Sequence, residues 1–173
     1  MKQPLFFKIL AAAAGAAVLL AAYLWLASAQ PPRVVAMGQP IQQDDFFYTV
    51  AGVSKAKSIG AGETRVNARG VFYVATIDVE NKAIRVDYRW DPSIVYVVDA
   101  GGRTYQMSVE AQRALDAAKR QSLIVPAGGQ ERYQVAFDLP DRVDHPALAF
   151  SNGILMGDVF DGAAYMKARV PLE

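Results

Sequence analysis

The chain has 173 residues, of which 53% are hydrophobic and 20% charged, with no cysteine and a formal net charge of +1. That length allows one domain of ordinary size, and 18 basic against 17 acidic side chains argue against a nucleic-acid binder that works through bulk positive charge. Without cysteine there is no disulfide-stapled miniprotein and no thiolate chemistry, and a single uncharged run is too little for a polytopic transporter.

Residues 1–8 hold Lys2 and Lys8, and residues 9–29 (ILAAAAGAAVLLAAYLWLASA) hold no charged residue. A membrane-crossing helix needs roughly 20 apolar residues for a core of about 30 Å, so the run predicts a transmembrane helix over 9–29. Positive charge on its N-terminal side keeps residues 1–8 in the cytoplasm and exports the chain beyond Ala29. A second reading is a leader cleaved after Ala29, since Ala27-Ser28-Ala29 fits the small-x-small pattern of signal peptidase. The length of the run and the outer pair Tyr23 and Trp25, which suit the headgroup level, favour retention as a signal anchor. Both readings place the domain outside the cytoplasm, in the periplasm or at the cell surface.

Residues 30–40 (QPPRVVAMGQP) carry three prolines and a glycine and read as a linker. From Ile41 to residue 173 the signal is period two, the mark of strands. Phe46 to Val53 sets Phe46, Tyr48 and Val50 on one face and Phe47, Thr49, Ala51 and Val53 on the other. Gly70 to Asn81 is the best central strand, dense in β-branched and aromatic residues. Ile84 to Trp90 alternates strictly, predicting Ile84, Val86, Tyr88 and Trp90 inward and Arg85, Asp87 and Arg89 outward.

Ile94 to Asp99 and Thr104 to Met107 form a hairpin about Gly101-Gly102. Ser108 to Lys119 changes to a helical period, with Ser108 as N-cap, Val109, Leu115 and Ala118 as packing residues, and a place over one sandwich edge. Glu131 to Leu139 alternates again and stops at Pro140, and Ala147 to Phe150 and Ala164 to Val170 complete the set. Seven to eight strands and one short helix, without strand-helix alternation, predict an all-β antiparallel sandwich.

Ordered pieces carry a family resemblance: Gly38-Gln39-Pro40-Ile41 with Phe47-Tyr48-Thr49-Val50, then Gly70-Val71-Phe72-Tyr73-Val74 leading to Val79-Glu80-Asn81. It continues through Val98-Asp99-Ala100-Gly101-Gly102-Arg103-Thr104-Tyr105, Val125-Pro126-Ala127-Gly128-Gly129 and Val135-Ala136-Phe137-Asp138-Leu139-Pro140. The chain resembles exported bacterial immunoglobulin-like domains of unknown function, similar to the mycobacterial immunoprotective extracellular antigen family. The resemblance implies a two-sheet immunoglobulin-like sandwich and brings no catalytic residues with it. Past Pro140 the chain departs from the pattern, with an aspartate-rich stretch over Asp141 to Gly162.

Few residues suggest chemistry. His145 is the one histidine, and with Asp141 or Asp144 it would form a general base or metal site. No Gly-x-Ser-x-Gly elbow supplies a nucleophile beside it, and Pro146 directs its backbone toward extended geometry. Asp44-Asp45, Asp138, Asp141, Asp144, Asp158 and Asp161 raise calcium binding, but Gly157 to Gly162 lacks the closing acid of an EF-hand loop. The paired glycines 101–102 and 128–129 read as turns and not as phosphate cradles. Arg65, Arg69, Arg85 and Arg89 alternate with aromatics, as strand patterning requires without any nucleic acid.

No catalytic, cofactor or metal site is therefore assigned. The expectation is a non-enzymatic binding or scaffolding module of the bacterial envelope, held to the membrane by its first helix, with a protein or envelope-polymer partner and no nucleic acid. A cleaved, secreted form of the same domain and an envelope hydrolase or metal-dependent enzyme built on His145 are the alternatives.

Overall fold

A computed structural model describes residues 3–29, 31–119, 122–151 and 167–173. Two compact units result, Met1–Pro32 and Arg33–Glu173. The first holds helix α1, Gln3–Ala29, formed where the uncharged alanine- and leucine-rich run favours helix. Among the described residues no helix is long and apolar enough to cross a membrane.

The second unit is a β-sandwich. One sheet is built on a long hairpin, β3 (Phe46–Ile59) and β4 (Val66–Asn81), flanked by β2 (Pro40–Gln43) and β9 (Gln130–Leu139), in the order β2-β3-β4-β9. The facing sheet runs β1 (Arg33–Val34), β11 (Ala168–Pro171), β10 (Ala147–Phe150), β6 (Val95–Val98), β7 (Thr104–Gln106). A two-stranded piece pairs β5 (Tyr88–Arg89) with β8 (Ile124–Val125). The segment 30–40 read as linker is thus partly sheet: Arg33–Val34 pairs in parallel with Ala168–Arg169, and Val35 is buried in the core.

The main core lies between the two sheets, where Tyr48, Val50, Ile77 and Val79 meet Val95, Val97, Leu148 and Phe150. Trp90 stacks on Tyr133 with ring centroids 5.3 Å apart. A register shift in the β3–β4 pairing lies between Val50 and Gly52. This bulge returns Val53 to the core side, so the simple alternation that sets Val50 and Val53 on opposite faces fails there. The central strand forms as expected, and its buried residues fall on both faces.

Helix α2 (Val109–Lys119) accounts for the second face. Ala111 and Ala114 pack on Ile59, Phe72, Val74 and Ala136 in a separate small core. The packing residues expected of this helix are corrected in part: Leu115 does pack there, Val109 is exposed, and the side chain of Ala118 lies outside the described residues. Ser108 Oγ accepts the N–H of Ala111 at 3.4 Å, in the N-cap role. The buried Gln112 does more. Its Oε1 accepts the N–H of Ala136 at 3.2 Å and its Nε2 donates to the Gln134 carbonyl at 2.9 Å, so one side-chain amide occupies the place of a neighbouring strand along the free side of β9.

Residues 84–90 depart from expectation. Only Tyr88–Arg89 pairs, and Ile84 and Val86 are 90% and 62% exposed instead of inward. Asn81 is the physical reason. Fully buried, it donates from Nδ2 to the carbonyls of Val86 (2.8 Å) and Val125 (3.1 Å) and accepts the N–H of Ala83 at 3.0 Å. The chain is folded around this amide as a loop, and a loop does not alternate. The last expected strand is confirmed only as Ala168–Pro171, with Lys167 in a turn and 164–166 outside the described residues.

Candidate functional site

The end of the sandwich where β4 begins and β9 stops carries the strongest candidate. Gly70 lets these strands close together: a Cβ there would sit 2.1 Å from the Leu139 carbonyl oxygen, an impossible contact for any other residue without backbone movement. Asp138, one step back on β9, accepts the N–H groups of Arg69 (3.1 Å) and Gly70 (3.3 Å). Beside them the Arg69 side chain is 96% exposed, its Nε 3.7 Å from Asp138 Oδ2.

Three adjoining depressions, of about 390, 550 and 420 Å³, meet around these residues. The first is floored by Phe72 and bounded by Gln106, Ser108 and Glu110, where β7 passes into α2. The second lies between Arg69, Tyr105 and Pro140. The third runs past Asp141 to Lys55, Lys57, Tyr73 and Glu173.

The charges in the third are already organised. Lys57 Nζ donates to Asp141 Oδ1 at 2.5 Å and to the Gly70 carbonyl at 2.9 Å. Lys55 Nζ lies 2.6 Å from Glu173 Oε1, which also accepts the Tyr73 hydroxyl at 2.8 Å. The Lys55 contact, then the Tyr73 hydroxyl, holds the Glu173 carboxyl below its ordinary range, and the same ion pair raises Lys55. On the wall of the second depression, Tyr105 donates to Asp99 Oδ2 at 3.0 Å. The Arg103 backbone N–H, 2.8 Å from Asp99 Oδ1, is the main cause of a lowered Asp99 carboxyl. With these acids engaged, the Arg69 guanidinium is the group best placed to meet an incoming carboxylate or phosphate.

The residues singled out from sequence are scattered relative to this groove. Asp138, Asp141 and Arg69 line it. His145 does not: its side chain is 87% exposed, and its polar contact among the described residues is Asp144, 3.7 Å from Nε2. Its φ of +42° is left-handed, against the extended backbone expected before Pro146. Asp44 also has a left-handed φ, +52°, in the exposed turn between β2 and β3. Asp158, Asp161 and the loop 157–162 lie outside the described residues.

Among the described residues no group of three or more histidine or acidic side chains is arranged to hold a metal. Gly102 (φ +80°) and Gly128 (φ +69°) sit in turns. Arg65 and Arg69 belong to the groove end, whereas Arg85, in the loop, and Arg89, in β5, lie beyond the other end of β4, so the four arginines form no single platform. Lys55, Lys57, Tyr105 and Glu173 were not identifiable as site residues. The period-two placement of Lys55 and Lys57 was their only local signal.

The architecture defines a β-sandwich with a small helix packed on one sheet and a polar groove at one end. The chain belongs to the family described as Domain of unknown function (DUF4352), whose model matches residues 35–160. Solved structures with a similar fold include the secreted protein MPT63 of Mycobacterium tuberculosis, at 18% identity over 73% of this chain and 93% of that one, with a TM-score of 0.53. The yjhA protein of Bacillus subtilis is 12% identical over 80% and 98% of the two chains, with a TM-score of 0.54. An uncharacterised β-sandwich protein of Clostridium difficile 630 is 14% identical over 83% and 96%, with a TM-score of 0.53. At these identities the likeness is one of fold. No curated protein matches the chain.

Proposed function

We propose that the chain is a non-enzymatic, extracytoplasmic binding module of the bacterial envelope, immunoglobulin-like in fold, tethered by the uncharged run 9–29 and recognising a polar partner through the groove around Arg69. The observation that carries the reading is the groove itself. Its floor is fixed by the Asp138 carboxylate and the close approach at Gly70, while Arg69 projects into solvent. Rigid scaffolds that present mobile polar groups at a strand-end loop cluster are built for recognition. A secreted protein among the structures of like fold supports export.

The test attaches a photo-crosslinker at Arg69→Cys of the purified chain, which has no native cysteine to compete for the label, and adds it to isolated envelopes. It should capture one envelope component that the same label at Arg85→Cys does not. Capture no greater than at Arg85 would remove the groove as the recognition surface.

A further inference from the structure

We infer that the end of the sandwich opposite the groove is a membrane-contacting tip, in which Ile84 and Val86 enter the lipid headgroup layer of an anionic bilayer. This contact rests on the tether proposed above.

The tip is a fixed object. Asn81 clamps its backbone from within through Ala83, Val86 and Val125, the Asp87 carboxylate accepts the N–H of Ala127 at 3.1 Å, and the N–H of Gly128 reaches the Ala83 carbonyl at 3.1 Å. All this backbone order is spent on turning two aliphatic side chains outward. Ile84 is 90% exposed, and the adjoining segment adds exposed Leu123, just before β8, and exposed Ile124, the β8 residue in register with Arg89. The loop and the segment paired with its end together leave four aliphatic residues exposed, and exposed apolar side chains gathered at one end of a domain mark an interaction site.

Two observations select a bilayer as the occupant. The chain reaches the sandwich at this same end. Arg33 pairs with Ala168 on β11, which lies beyond the Leu148–Val170 pair toward the level of Phe150, and the Phe150 ring packs on Tyr48 with centroids 5.3 Å apart, two residues from the start of β3 opposite Asn81. Only residues 30–32 lie between α1 and β1, a length that spans about 10 Å at full extension. On the tether proposed above, this is the end at which the exported chain enters the sandwich. The second observation is the company of the aliphatic residues: Arg33, Arg85 and Arg89 are exposed around them, and arginine at the rim of an apolar tip matches anionic headgroups. Asp44 and Asp45 share this end, so apolar insertion, more than net charge, carries the contact.

The experiment labels the full chain with an environment-sensitive dye at Ile84→Cys, or at Glu63→Cys beyond the groove end as reference, in vesicles of phosphatidylcholine with phosphatidylglycerol. At position 84 the emission should shift to the blue and be quenched by lipid-borne quenchers, while position 63 stays as in water. A label at Ile124→Cys should lose its shift when Ile84→Asp and Val86→Asp are introduced. If the chain floats with vesicles but position 84 reports water, the tip is overturned and the tether stands. A chain that does not float overturns both. A blue shift that follows protein concentration and not lipid would identify a second copy as the occupant and overturn the bilayer contact.

Discussion

At the residue scale, Asn81 shows how one buried amide decides a loop. Its three hydrogen bonds replace the ladder partners that Lys82 to Asp87 lack. Asn81→Ala removes the amide partner of the buried Val125 carbonyl and Ala83 N–H and of the part-buried Val86 carbonyl, and should cost about 2–3 kcal/mol. Chemical denaturation would show it as a lower midpoint with unchanged slope. The carboxylates give a second residue-scale prediction. Asp99 and Glu173 are both lowered in the folded state, so each adds stability that is present above its unfolded pKa and lost as pH falls through the lower folded value. Melting temperature should therefore fall on acidification below about pH 4, where free carboxyls begin to titrate. Asp99→Asn combined with Glu173→Gln should flatten that fall, and an unaltered pH profile would refute the assignment. None of this was legible in the sequence. A buried asparagine and an exposed one are written alike, and period-two counting in 84–90 could not see an amide at position 81 pulling the chain out of register with any neighbour.

At the element scale, long apolar strands were readable and short polar-flanked ones were not. β9 follows its alternation, with Tyr133, Val135, Phe137 and Leu139 in the main core, whereas β4 and β10 were readable from apolar density and bury neighbouring residues on both faces. The two-residue strand β1 left no such trace, since two residues make no period and the surrounding prolines describe a linker equally well. The helix was readable from its change of period, but its contacts were not. The side it buries is set by Ala111, Ala114 and Gln112, residues whose small size or polarity hides them from an apolar count. Gln112→Ala should cost about 1–3 kcal/mol by stranding the Ala136 N–H and Gln134 carbonyl. It should also expose the β9 edge to pairing. Light scattering at rising concentration would detect the second effect; a variant that is less stable yet stays monomeric would show that the amide satisfies the strand without guarding it.

At the scale of the whole molecule, composition separates an apolar leading segment from a nearly neutral remainder, and the chain forms two compact units, Met1–Pro32 and Arg33–Glu173. The groove was the part least available beforehand. Arg69, Asp138, Asp141 and Lys57 are distant in sequence and meet only because β4, β9 and β3 are neighbours and Gly70 permits their close approach. The tether is tested on the same scale: intact mass of the chain purified from its own cells should include residues 1–29. A mature form beginning at Gln30 would replace the tethered protein by a released one.

The parallel pairing of β1 with β11 has a mechanical side. A ligand held at the groove and a tether attached at Arg33 would pull from opposite ends of the sandwich, along the strands. The bonds from Arg33 N–H to Lys167 (3.0 Å) and Val35 N–H to Arg169 (2.9 Å) then lie across the line of load. They must shear together instead of opening in sequence, as they would if the strand were peeled. Under such a tether, the first residues of the domain would act as a short lap joint between it and the fold.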